Sequence, residues 1–269
     1  MPEGPETHAL ADRLSTLLVD ETLTHVRFID PALQRRRDLL EGRRVRAVEA
    51  RGKALLTAVE GGWTLYTHSH LFGFWRFAED LDALPDVALP RLVLATVRGV
   101  SALYAAPSIS LWRTDALGAQ PYLSKLGPDV LDPVVDAKAL LAHMRTPRFA
   151  RRNLAVLLLD QAFAAGMGNY LRSEVLFQAR LSPHRVLQDL AAGERRRLAN
   201  ALLDVPRRAY RAKHDDALPS GKDYLETTRA QFGFEVFERK GDPCPRGDGR
   251  IIEERLAGRR LYWCRGCQI

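Results

Sequence analysis

The chain has 269 residues, a formal net charge of +7, 46% hydrophobic and 27% charged residues. That is an ordinary globular mix, which excludes collagen-like and wholly disordered chains and allows one large domain or two to three small ones. No uncharged apolar run approaches the ~20 residues of a membrane span, and the first thirty residues are charged where a signal peptide would be apolar, so a soluble, unexported protein is expected.

The basic charge is uneven. Residues 1–144 carry 16 Lys+Arg against 18 Asp+Glu, 145–213 carry 14 against 5, 214–238 are net −4, and 239–269 carry 8 against 4. Two basic blocks in the C-terminal half fit either solvated basic faces or two modules that contact a polyanion.

In chain order, Met1-Pro2-Glu3-Gly4-Pro5-Glu6 leads into an amphipathic helix whose apolar face is Leu10, Leu14, Leu17 and Leu18. Pro5 suits a first helical turn, and Glu6 places a carboxylate where the helix dipole favours it. From about 22 to 113 the texture is that of strands. Ala54–Val59 and Trp63–His68 flank the hairpin signal Glu60-Gly61-Gly62, and Phe74–Phe77, Leu92–Val97, Ala102–Ala105 and Ser108–Arg113 follow. Such spacing predicts a sandwich. Leu126-Gly127-Pro128-Asp129 reads as a linker. Beyond it, helices are predicted over Asp136–Met144, Asn153–Ala164, Asn169–Ala179 and Gly193–Lys213, with Gly166-Met167-Gly168 as the break between the second and third. The tail from 234 reads as short strands around cysteines.

Three features could carry chemistry. Cys244, Cys264 and Cys267 all lie in the last 26 residues, which excludes a chain-wide disulfide framework and points to a reduced compartment and a structural zinc site. Cys264 and Cys267 have knuckle spacing. Cys244 stands alone, with Gly247 where its partner cysteine would fall, and Asp248, water or no fourth ligand are the alternatives. A metal-free hairpin is the plain reading. The Gly166-Met167-Gly168-Asn169 turn could offer free backbone N–H groups to a phosphate, or be a simple cap. Removal of Met1 would free the secondary amine of Pro2, which titrates near ~8 and can form a charged iminium with an aldehyde carbon. Glu3 beside it could move the accompanying proton.

Together with Arg51-Gly52-Lys53 and the run Leu157-Leu158-Leu159-Asp160-Gln161 that leads to Asn169-Tyr170, these motifs in this order resemble the formamidopyrimidine-DNA glycosylase/endonuclease VIII family over essentially the whole chain. Gly4 after Pro2-Glu3 resembles the endonuclease VIII branch. The resemblance implies an α+β multidomain fold: an N-terminal β-sandwich with flanking helices (1–126), a helix–two-turn–helix DNA-binding domain (127–233) and a C-terminal zinc-finger-like β-hairpin (234–269). It implies a base excision repair enzyme, a bifunctional DNA glycosylase and abasic-site lyase. Pro2 attacks C1′ of the damaged nucleotide, Glu3 is the acid/base partner, and Glu6 supports them. Lys53 and Asn169 hold phosphates, as does Arg259 on the hairpin, with Arg260 beside it as control.

A flipped base leaves a space to be filled. His70, Leu71 and Phe72 map onto the family's wedge loop, with burial of Leu71 and Phe72 in a strand as the alternative. The short stretch 222–235 leaves little room for the segment that closes over an oxidised purine in the formamidopyrimidine branch, so oxidised pyrimidines are expected. An oxidised-purine glycosylase of the same fold and a non-catalytic damaged-DNA binder are the rival readings. The expected partner is damaged double-stranded DNA, bound by a cytoplasmic, nucleoid-associated monomer with one structural Zn2+, no nucleotide cofactor and no membrane.

Overall fold

The computed structural model describes residues 2–85, 88–213, 224–247 and 249–269. They form two compact units. The first holds Pro2, residues 6–124 and 224–227; the second holds Glu3–Pro5, residues 125–213 and the described residues from Thr228 to Ile269.

Helix α1 (Gly4–Leu18) takes Pro5 and Glu6 in its first turn. The first unit continues with β1 (His25–Phe28), a one-turn helix α2 (Pro31–Gln34), β2 (Val45–Arg51), β3 (Ala54–Val59), β4 (Trp63–His68), β5 (Phe74–Ala78), β6 (Leu92–Thr96), β7 (Gly99–Tyr104) and β8 (Ser108–Arg113). Two antiparallel four-stranded sheets result, ordered β1-β6-β7-β5 and β2-β3-β4-β8. Leu14 and Leu18 of α1 pack with Val26, Phe28, Val48, Leu55, Leu65, Trp75, Leu92, Leu94, Leu103 and Leu111 in one apolar cluster. Burying such side chains contributes about 1.5–3 kcal/mol each relative to exposure. The expected sandwich is therefore present, with β1 and β2 added to the strands read from sequence.

In the second unit, Asp136 caps α3 (Ala137–His143) by accepting from the Ala139 amide at 2.7 Å. The helix expected over Asn153–Ala164 is much shorter. α4 covers only Leu154–Leu157, capped by Asn153, and the chain then turns at Asp160. The Asp160 carboxylate accepts from the Ala162 amide at 2.9 Å and pairs with Arg152, and the Arg152 bond holds its pKa down against the effect of desolvation. A carboxylate that offers the backbone a local alternative ends a helix even within an apolar run. α5 (Asn169–Ala179) and α6 (Ala192–Arg211) fall where expected, and α7 (Tyr224–Phe232) was not anticipated. The tail forms a hairpin, β9 (Ile251–Leu256) with β10 (Arg259–Cys264), in the same compact unit as the helices.

Candidate active site

The first sandwich-side cluster is set by strand register. β3 pairs with β4 so that Ala54 faces His68, and β4 pairs with β8 so that His68 faces Ser108. This places Lys53, one residue before β3, beside His68. Lys53 is 7% exposed, and its amide donates to the Tyr122 hydroxyl at 2.9 Å. The Tyr122 ring meets His68 edge-on at 5.0 Å between centroids. Burial, followed by the charges of His70 and Lys53, pushes the His68 imidazole down to about 3. His68 is therefore neutral at physiological pH. Its Nδ1 accepts from the His70 amide at 2.9 Å, so its proton sits on Nε2. Sequence reasoning passed over His68 and Tyr122, because only the cross-strand register shows that they adjoin Lys53.

The same register turns the chain into the loop that follows β4. His70 has φ +49, in the left-handed region that a side chain occupies at a cost, and its Nε2 lies 2.8 Å from the Ser108 hydroxyl. Leu71 and Phe72 are 61% and 66% exposed, so they are not buried strand residues. Gly73 closes the loop by donating to the Ser69 carbonyl at 2.8 Å. A Cβ at Gly73 would lie 2.6 Å from that oxygen, so only glycine permits the closure.

The second cluster is built around Glu3, which is 2% exposed. Its carboxylate accepts from the amides of Tyr170 at 2.9 Å and Leu171 at 3.2 Å, at the N-terminus of α5. Unsatisfied amides and the helix dipole favour an anion there. Two amides of the helix start thus hold the chain's own carboxylate. The glycines of the preceding turn make the approach possible: a Cβ on Gly168 would sit 2.2 Å from the Glu3 carboxyl carbon. The Gly4 amide donates to the Gly166 carbonyl at 2.8 Å, and a Cβ at Gly4 would lie 3.1 Å from the Gly166 Cα. Pro2, immediately before, is half-buried; Glu6 is buried in the first turn of α1. Met1 lies outside the described residues.

Asn169 opens α5. Its side-chain amide donates to the Arg260 carbonyl at 2.8 Å, and its oxygen accepts from Arg172 at 2.8 Å. Arg172 is fully buried and also donates to the carbonyls of Ala155, Leu256 and Arg260. Burial lowers its pKa to about 10; the Glu3 carboxylate works against that shift and the Arg259 cation adds to it. This guanidinium thus lies within electrostatic reach of both the acid and the hairpin arginine. Arg259 and Arg260 are exposed on β10. Glu174, two residues further along α5, is likewise buried and accepts from the amides of Glu235, Val236 and Phe237. Arg172 and Glu174 look like ordinary surface charges in sequence, and nothing there marks them as buried.

The cysteines converge: the sulfurs of Cys244, Cys264 and Cys267 lie within 4.8 Å of one another, and those of Cys244 and Cys267 are 3.8 Å apart. Two thiolates ~2.3 Å from a tetrahedral zinc stand about 3.8 Å apart, so the Cys244–Cys267 pair has the spacing that ion requires, with Cys264 close by. Burial and the neighbouring thiols push Cys267 up to about 12, which a bound cation would reverse. Asp248 lies outside the described residues.

Residues 1–106 match the formamidopyrimidine-DNA glycosylase N-terminal domain, and residues 126–217 match the formamidopyrimidine-DNA glycosylase H2TH domain. The chain is 41% identical over 270 residues to "Endonuclease 8" of Escherichia coli O17:K52:H18 (strain UMN026 / ExPEC), with all of both chains covered. This chain belongs to the formamidopyrimidine-DNA glycosylase/endonuclease VIII family. An "Endonuclease 8" of Shigella flexneri serotype 5b (strain 8401) is equally similar, at 41% over 270 residues and full coverage of both. Among solved structures, the fold matches Lactococcus lactis Fpg (MutM) in complex with DNA that contains an oxidised pyrimidine, with a TM-score of 0.83, 23% identity and 99% of both chains covered. It also matches the Lactococcus lactis Fpg in complex with abasic-site DNA, with a TM-score of 0.82, 22% identity and 99% of both chains covered. Family membership fixes the class of chemistry: an endonuclease VIII-like bifunctional DNA glycosylase and lyase. Among the described residues, no helix is long and apolar enough to cross a membrane.

Proposed function

We propose that this endonuclease VIII-like enzyme excises oxidised pyrimidines from duplex DNA through a Schiff base on Pro2, with Glu3 as its acid/base partner. The observation that carries this reading is the placement of Glu3. A carboxylate next in sequence to the terminal imino acid is buried and held by two helix amides.

The secondary amine of Pro2 attacks C1′ of the flipped nucleotide, and the damaged base leaves with the glycosidic electron pair. Glu3 takes the proton that the attacking amine loses and passes it to the ring oxygen as the sugar opens, which leaves a positively charged iminium between Pro2 and C1′. Abstraction of a C2′ proton expels the 3′ phosphate, and a second elimination expels the 5′ phosphate. Water then hydrolyses the iminium and returns the free amine. Two amides on Glu3 favour its charged form, so a proton that it receives is readily passed on. Glu6 supports this end of the chain.

Lys53, Asn169 and Arg259 hold phosphates around the lesion, and Leu71 and Phe72 fill the space that the base vacates, with His70 beside them. The exposure of the two apolar wedge residues supports this role, as does the remaining N–H of the Asn169 amide, since Arg260 takes only one of its two. Cys244, Cys264 and Cys267 would hold Zn2+, which supplies a cross-link between the Cys244 turn and the end of β10. The sandwich over 1–126 is the catalytic domain, 127–233 the DNA-binding domain and 234–269 the zinc module. The protein acts as a cytoplasmic, nucleoid-associated monomer on damaged double-stranded DNA. Pyrimidine preference is supported by the stretch 222–235, most of whose described part is helix α7.

The test is borohydride trapping on oligonucleotides that contain thymine glycol, 8-oxoguanine or an abasic site. A covalent adduct on Pro2, faster with thymine glycol than with 8-oxoguanine, is expected. Tight binding without an adduct would establish a non-catalytic binder, and faster trapping with 8-oxoguanine would establish a purine enzyme.

A further inference from the structure

The wedge loop is one of two neighbouring crossovers in the sandwich. β4 ends at His68 in one sheet and β5 begins at Phe74 in the other, so residues 69–73 carry the chain from sheet to sheet. β7 ends at Tyr104 and β8 begins at Ser108, so residues 105–107 carry it back. Strand register pins the two crossovers together at both ends: His68 faces Ser108 across β4 and β8, and Phe74 faces Tyr104 across β5 and β7. The Phe74 and Tyr104 rings stack, with centroids 5.2 Å apart. Between these ends the crossovers touch, since a Cβ at Gly73 would lie 3.0 Å from the Ala106 Cβ.

Five residues thus bridge the gap that three bridge beside them. The longer crossover cannot lie flat between the same ends, and Leu71 and Phe72 are the exposed residues at its tip. An exposed apolar side chain has little packing to fix it, so the shape of the loop depends on polar bonds at its base. Two of these close within the loop and its own strand: the Gly73 amide donates to the Ser69 carbonyl, and the His70 amide to the His68 Nδ1. Another leaves the loop, because the His70 Nε2 lies 2.8 Å from the Ser108 hydroxyl at the start of β8. His70 is also the residue at φ +49, a conformation that persists where the surroundings hold it.

We propose that Ser108 is a positioning residue for the wedge: its hydroxyl clamps the His70 ring to β8, so that Leu71 and Phe72 are already held outward when duplex DNA arrives. The inference rests on the reading of Leu71 and Phe72 as the wedge. Extruding a base costs unstacking and unpairing, and a loop that is ordered beforehand does not add its own ordering cost to that step. The clamp therefore acts on extrusion of the base, while the chemistry at C1′ belongs to other groups. An abasic site has no base to extrude and makes little demand on it.

Single-turnover kinetics of the full-length protein test this, on a duplex that contains thymine glycol and on an abasic-site duplex. S108A is expected to slow thymine glycol excision about fivefold, the equivalent of one neutral hydrogen bond, and abasic-site cleavage by less than about twofold. S108T keeps a hydroxyl and is expected to recover the lost rate. The comparison that isolates positioning is made in L71A/F72A, which has no wedge left to hold: there S108A is expected to cost less than about twofold. An equal loss in both backgrounds, an equal loss on both substrates, or no loss from S108A would overturn the inference and leave the wedge in place. Excision by L71A/F72A at the wild-type rate would remove the wedge and the inference with it. Should S108A not fold, H70A cuts the same bond from the loop side and is read against the same substrates and backgrounds.

Discussion

Substituting Gly168 by alanine separates the role of Glu3 from that of every DNA-contacting side chain. The new methyl carbon would lie 2.2 Å from the Glu3 carboxyl carbon and 2.4 Å from one of its oxygens. No rotamer adjustment of an alanine relieves that overlap, so the carboxylate must leave the α5 N-terminus. It then gives up the bonds from Tyr170 and Leu171. Hydrogen bonds to a charged group are worth about 1.5–3 kcal/mol each, so the displacement costs about 3–6 kcal/mol. At about 1.4 kcal/mol per decade, that range corresponds to a fall of roughly 10²–10⁴ in the rate of adduct formation if the acid must be in place for the transition state. Single-turnover borohydride trapping on an abasic duplex reads this rate. Gel-shift affinity for the same duplex is expected to stay within threefold, because phosphate contacts dominate binding. A G168A protein that melts cooperatively and traps at more than half the wild-type rate would refute the assignment of Glu3.

Other consequences are open to direct test. In R172M, the Ala155, Leu256 and Arg260 carbonyls and the Asn169 side-chain oxygen lose a donor; a loss of about 3–5 kcal/mol is expected in denaturant melts, with faster amide exchange across β9 and β10, and a change below 1 kcal/mol would contradict the role given to this residue. L71A and F72A remove exposed side chains, so their melting curves should match wild type within about 0.5 kcal/mol while excision from duplex DNA slows at least tenfold; equal excision rates would remove them from the wedge. Burial pushes the Glu174 carboxyl up from 4.5 to about 7 against three amide donors. A raised folded-state pKa means stability that is present below about pH 4.5 and lost as pH rises towards 7. The stability advantage of wild type over E174Q should therefore shrink between pH 5 and 7, and an advantage that grows over that range would show the carboxylate to be ionised throughout.

Much of the sandwich was legible because its signals are local. Gly61 and Gly62, both at positive φ, fix the hairpin, and the strands on either side, Ala54–Val59 and Trp63–His68, come out with the bounds read from sequence. β1 was missed because four residues make too short a pattern, and β2 because its register shifts between Val45 and Ala47, which breaks the two-residue period. The overlong helix at 153–164 has a different cause. The apolar run is largely buried, but Asp160 competes for backbone amides, and propensity gives way to a local carboxylate. At the site, residues tied to motifs were visible. Those defined by long-range partners were not: His68 depends on strand register, and Arg172 and Glu174 on carbonyls and amides up to 88 residues away. The glycine turn before Asn169 is the most instructive example. Its composition suggested a cradle for an external phosphate, yet two of the helix amides beyond it receive a carboxylate of the same chain.

That union between Glu3 and α5 spans 167 residues. During synthesis the first residues leave the ribosome long before the helix that completes them, so the imino group proposed as nucleophile emerges before the amides that hold the acid/base partner proposed for it. An amine with the role proposed for Pro2 would stay blunt until the molecule is nearly finished, and so be safe to carry at the leading end of a growing polypeptide. With the roles proposed for Pro2 and Glu3, a tag fused at the leading end, or truncation before residue 171, is expected to abolish adduct formation.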